Sequence, residues 1–100
     1  KIFTKEPFVE LTDCPSSLQN ELWRVVLLCE RALREFYKPD KINIASFANY
    51  VPRVHFHIMA RFKDDEFFPE CMWGKPQRKR IKLNLASFDE FVEFLRKRLA

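Results

Sequence analysis

The stretch Arg53-Val54-His55-Phe56-His57-Ile58-Met59-Ala60-Arg61-Phe62 holds both histidines of the chain, two residues apart. Alternate side chains of a strand share a face, so this spacing aims both imidazoles the same way. Val54, Phe56, Ile58, Ala60 and Phe62 fall on one side; Arg53, His55, His57, Met59 and Arg61 fall on the other. Unbroken period-two alternation predicts a strand with one packed and one open face. A free imidazole titrates near about 6.5, so at neutral pH it is mostly the unprotonated nucleophile. It still needs an acceptor for its second N–H, which fixes the tautomer. With an arginine on either side, the open face suits binding and attacking phosphate. Arg53, His57 and Asn49 are the donors the sequence offers to phosphoryl oxygens as negative charge develops there.

Several elements must position this strand. Lys1 to Lys5 is β-branched and aromatic and reads as a strand ended by Pro7. Asp13 or Ser16 is the expected N-cap of a helix over residues 16–37, with Pro15 in its first turn. Leu18, Leu22, Val25, Val26, Cys29, Leu33 and Phe36 form its apolar stripe. Trp23, Leu27 and Leu28 widen that stripe and predict cover over more than half the circumference. Pro39 stops the helix. Lys41 to Phe47 reads as a second strand, and Ala48 to Pro52 as the turn into the histidine strand.

Beyond Phe62 the chain turns acidic and aromatic as far as Gly74, then strongly basic from Lys75 to Lys82. This reads as an excursion lying on the surface or on a partner subunit. Ile81, Leu83 and Leu85 alternate and predict a short edge strand. Ser87 and Glu90 form a capping box that opens a last helix, with a stripe of Phe88, Phe91, Val92, Leu95 and Leu99. Arg96, Lys97 and Arg98 complement the helix dipole at its end.

Composition narrows the function. The 100 residues amount to one small domain, and 11 phenylalanines allow it a packed core. Gly74 is the single glycine, which excludes a P-loop and a dinucleotide fingerprint. A net charge of +4 fits an anionic ligand without demanding one. No apolar run is long enough to span a membrane. Cys14, Cys29 and Cys71 are odd in number and contain no C-x-x-C pair, which favours reduced thiols and a cytoplasmic setting. The chain opens at Lys1 in what reads as mid-strand, so further N-terminal strands are expected before it.

Residues 41–74 resemble the histidine triad (HIT) family. Its signature is His-φ-His-φ-His-φ-φ on a strand, φ being apolar. Arg53-Val54-His55-Phe56-His57-Ile58-Met59 matches at every position but the first, where Arg53 replaces a histidine. A strand and tight turn precede the motif; Arg61 and, further on, Trp73 follow it. The resemblance implies an α+β fold, with an antiparallel sheet of about five strands and a long helix packed on it. The C-terminal helix is no recognised part of the family. Members usually pair into a dimer with a continuous sheet, and they cleave purine nucleotide substrates at the α-phosphate without a metal or cofactor. By the same resemblance His55 is the covalent nucleophile, His57 donates to phosphate oxygens, and Asn49 adds a phosphate contact from the turn. Arg53 would clamp phosphate or form an ion pair; it never loses its proton and is a poor acid for the leaving group. Trp73 would contact a base or a subunit interface. Two other readings stand beside the enzyme: a non-catalytic nucleotide-binding module, suggested by Arg53, and a nucleic-acid-binding protein, suggested by the basic run. That run reads more simply as solvated loop.

Overall fold

The computed structural model describes residues 1–100. Strand β1 is Ile2–Phe3, helix α1 Ser16–Tyr37, strand β2 Lys41–Ala45, strand β3 His55–Arg61 and helix α2 Phe88–Leu99. The sheet is antiparallel in the order β1-β3-β2, so the histidine strand is central. Phe3 stands opposite His55 in the first pair, and Ala45 opposite His57 in the second.

Val54, just before β3, and Phe56 within it face α1. Cys14, Leu22 and Val26 close around those two residues, with Leu18 and Ile58 packed against them. Each fully buried side chain of this size is worth about 1.5–3 kcal/mol. A second core holds Ala32, Leu33 and Phe91, where the far half of α1 receives α2. Phe94 reaches Phe36 there with ring centroids 5.2 Å apart.

The fold is α+β, as the sequence implies, but the sheet has three strands rather than about five. Residues 81–85 form no strand: they alternate, but no neighbouring backbone pairs with them, and a strand exists only through its ladder. β1 and β2 are shorter than the stretches 1–5 and 41–47 for the same reason. Helix α1 has the expected bounds, but its N-cap is Pro15 rather than Asp13 or Ser16. Pro15 holds the extended backbone of a cap, and Gln19 donates back to the Cys14 carbonyl at 2.8 Å. Trp23 and Leu27 stay half-exposed, so α1 is covered on a narrower face than its apolar residues suggest. In α2, Ser87 and Glu90 form the expected capping box, while Phe88 points into solvent.

The other face of β3 is not simply open. Arg61 is 1% exposed, the largest fully buried side chain of the chain. It lies beneath residues 62–70, which fold back onto this chain's own sheet instead of leaving it.

Candidate active site

Three segments meet over the imidazoles. β3 supplies His55 and His57, the loop before it supplies Phe47, Ala48 and Asn49, and the excursion after it supplies Trp73. Together with Lys1 they line a cleft of about 410 Å³.

His55 is nearly buried. Its Nδ1 lies 2.7 Å from the Arg53 carbonyl oxygen. A carbonyl only accepts, so Nδ1 carries the proton and Nε2 keeps its lone pair. Phe3 of β1 stacks on the ring at 5.2 Å and 27°, and Ser46 donates from Oγ to the His55 carbonyl at 2.7 Å. Tautomer, ring plane and backbone are therefore each held by a different element.

His57 sits beside it, with ring centroids 5.1 Å apart and planes at 71°. Trp73 covers His57 edge-to-face at 5.1 Å and also meets Phe47 at 5.4 Å. Burial lowers the His57 pKa, helped by the positive charge of Lys1 and by His55. The neutral imidazole is thus its resting form.

Asn49 lies exposed on the cleft wall. The turn before it has no glycine, yet Ala48 takes φ 54, the left-handed conformation that glycine adopts without cost. The backbone there reaches the shape of a glycine turn regardless.

Arg53 stands apart. Its Nη2 donates to the carbonyl oxygens of Thr4 and Lys5, the second at 2.7 Å, and its Nε is buried without a partner. It does not line the cleft, so the phosphate clamp expected of it is not what this geometry offers. The side chain ties the β1 segment to β3, and its main-chain carbonyl serves His55.

Two groups were not visible as site residues in the sequence. Lys1 lines the cleft and Phe3 stacks on the His55 ring because β1 pairs beside His55; their only signal was the alternation in the first five residues. The other group is built on Arg61. Its Nε and Nη2 donate to the two Asp65 carboxylate oxygens at 2.9 and 3.0 Å, Nη1 to Asn43 Oδ1 at 2.7 Å, and Nη2 also to the Glu70 carbonyl at 2.8 Å. Its one sequence signal was an arginine four residues before an aspartate.

A family profile, HIT domain, matches residues 1–64. The chain belongs to the histidine triad (HIT) family. Among solved structures, a histidine triad protein from Bradyrhizobium japonicum is 31% identical, with a TM-score of 0.79, over 98% of this chain and 72% of that one. A HIT protein from Sinorhizobium meliloti 1021 is 24% identical with a TM-score of 0.67, over 92% of this chain and 64% of its own. A histidine triad protein from Marinobacter aquaeolei VT8 is 22% identical with a TM-score of 0.65, over 96% of this chain and 65% of its own. The last two likenesses speak for the fold alone. No curated protein matches the chain. HIT proteins as a family are nucleotide-binding hydrolases and transferases. In this HIT chain the two histidines of the motif, the turn before them and the tryptophan after them converge on one cleft.

No group of three or more His, Cys, Asp or Glu side chains converges to hold a metal ion. No helix is long and apolar enough to cross a membrane.

Proposed function

We propose that this HIT protein cleaves purine nucleotide anhydrides, phosphoramidates or related esters at the α-phosphate, through a nucleotidyl-His55 intermediate. The observation that carries this reading is the hydrogen bond from His55 Nδ1 to the Arg53 carbonyl, 2.7 Å long, in a ring that lines the cleft. Nε2 attacks phosphorus, a P–N bond forms, and the bond to the leaving group breaks with its electron pair. Water then attacks the same phosphorus, releasing the nucleoside monophosphate and returning the pair to Nε2. Neutral His57 donates one N–H to a phosphoryl oxygen, and Asn49 donates its amide from the facing loop. Donors already held in place need no reorganisation as charge develops, which is where most of the stabilisation arises. Trp73 offers its exposed edge to the base or to the leaving group.

Hydrolysis of a fluorogenic adenosine phosphoramidate tests the reading. The wild type turns over and His55→Ala loses at least about a thousandfold, the usual scale for a lost nucleophile. Equal rates would remove the enzymatic reading.

One observation favours the alternative, a nucleotide-binding module without turnover. The guanidinium at the first signature position is occupied by backbone carbonyls, and no carboxyl group lines the cleft to protonate the leaving group. Calorimetry showing adenosine monophosphate bound, with no substrate consumed, would select it.

We also propose a homodimer. β2 is an outer strand with an unpaired edge, and Trp23, Leu27 and Ile44 are exposed apolar residues. Sedimentation as a monomer at micromolar concentration would reject it.

A further inference from the structure

We propose that the buried Arg61–Asp65 pair is the positioning device of the cleft: it seats Trp73 against His57. The inference rests on the nucleotide reading above for its bearing on turnover, but its geometry is independent of any substrate.

The chain of contacts is continuous. Arg61 lies four residues after His57 on the same face of β3 and is 1% exposed. Its guanidinium meets the Asp65 carboxylate through two bonds. The same carboxylate accepts from the backbone N–H groups of Phe62, Phe67 and Phe68 at 3.1, 3.0 and 2.7 Å. Five donors thus converge on one side chain, and they determine the path of residues 62–68. A carboxylate gathered this way organises a loop as a bound anion would.

Arg61 then reaches further, to the Glu70 carbonyl at 2.8 Å. Phe68 lies against the guanidinium, its ring centroid 5.7 Å from Cζ. From Glu70 one tight turn leads to Trp73, closed by Gly74 N–H donating to the Cys71 carbonyl at 2.9 Å. A Cβ on Gly74 would stand 3.2 Å from that carbonyl oxygen and 3.2 Å from Glu70 Cβ. The chain's single glycine therefore sits where the turn is tightest, directly after the tryptophan. On the far side, Gln77 N–H donates to the Glu66 carbonyl at 2.8 Å and Arg78 donates to the Asp65 carbonyl. Trp73 is held from both ends, and its indole covers His57 though it remains half-exposed itself.

The consequence reaches the imidazole. The groups facing His57 are Lys1 from the β1 side, His55 on its own strand, Ala45 across β2, and the uncharged rings of Trp73 and Phe47. Trp73 is the one among them that the Arg61–Asp65 pair controls. Removing it exposes His57 to water and raises its midpoint, while Lys1 and His55 still hold it below the ordinary value.

Proton NMR of the free protein tests this. In the wild type, His57 shows a nuclear Overhauser contact with Trp73 and titrates below about 6.5, the unperturbed value. Trp73→Ala and Asp65→Asn each bring the midpoint up towards that value, and Asp65→Asn also loses the contact. The double variant titrates no higher than Trp73→Ala alone, because both act through one ring. Asp65→Asn folded, with the contact and midpoint unchanged, overturns the proposal; so does a double variant that moves the midpoint further. Should Asp65→Asn fail to fold, Asn43→Ala removes only the Nη1 partner and must move the midpoint the same way; an unmoved midpoint is then decisive against it. No nucleotide enters these measurements. An inactive wild type would strike the enzymatic reading and leave this one standing, and the converse holds for an active enzyme with unmoved titrations.

Discussion

The imidazole of His55 donates from Nδ1 to the main-chain carbonyl of Arg53, two residues earlier, at 2.7 Å. The side chain of that same arginine turns the other way, onto the carbonyls of Thr4 and Lys5. One residue thus serves the His55 imidazole through its backbone and the fold through its side chain.

Arg53→Met separates the two services. It removes charged hydrogen bonds to backbone carbonyls and should lower stability by about 1.5–3 kcal/mol in urea unfolding. Every residue supplies a carbonyl, so kcat should stay close to the wild-type value. Arg53→His, which restores the family signature, should likewise leave kcat unchanged; a large rise would show that the missing histidine limits turnover.

The lowered pKa of His57 gives a pH dependence of stability. Between the folded midpoint and about 6.5, the unfolded chain binds more protons than the folded one. Stability therefore rises with pH through that window and is lost as pH falls through it. Tm should drop on going from about pH 7.5 to about pH 5.5, and His57→Gln should flatten that slope.

Arg61 and Asp65 should dominate the mutational map. The pair is almost fully enclosed, with side-chain exposures of 1% and 15%. Removing one partner leaves a buried charge, so Arg61→Met should cost about 3–5 kcal/mol in urea unfolding. Arg61, followed by the backbone N–H groups around it, holds the Asp65 carboxyl well below the usual carboxylate range. The stability it contributes is complete above about pH 4 and is lost only below that, as the carboxylate is protonated. Arg61→Met should therefore also weaken the acid dependence of unfolding.

Lys38 ends α1 in the left-handed conformation, with φ 48 and ψ 54. A side chain there costs about 1 kcal/mol that glycine avoids. Lys38→Gly should raise Tm by about 4–8 °C and leave hydrolysis untouched, since the residue lies outside the cleft.

Local signals reveal what depends on neighbours in sequence. α1 runs over Ser16–Tyr37 because its stripe recurs at helical spacing and Pro39 follows; Ser87 and Glu90 mark the start of α2 for an equally local reason. The alternation around His55 and His57 was enough to put both rings on one face, and the two rings do share a cleft. Strand ends were less legible. A strand exists only where a partner pairs with it, so residues 81–85 alternate without forming one.

The sequence by itself determined the helices, the central strand, the family and the two imidazoles on a common face, because each follows from periodicity or a short motif. Only the tertiary structure decided what covers that face. Alternation says which way a side chain points, not which distant segment arrives above it. Arg53 and Arg61 both read as open-face cations. The carbonyls of Thr4 and Lys5 claim the first, while Asn43, Asp65 and Glu70 enclose the second. A guanidinium can bind phosphate or organise backbone with the same donors, and the choice rests on long-range neighbours that no local pattern specifies.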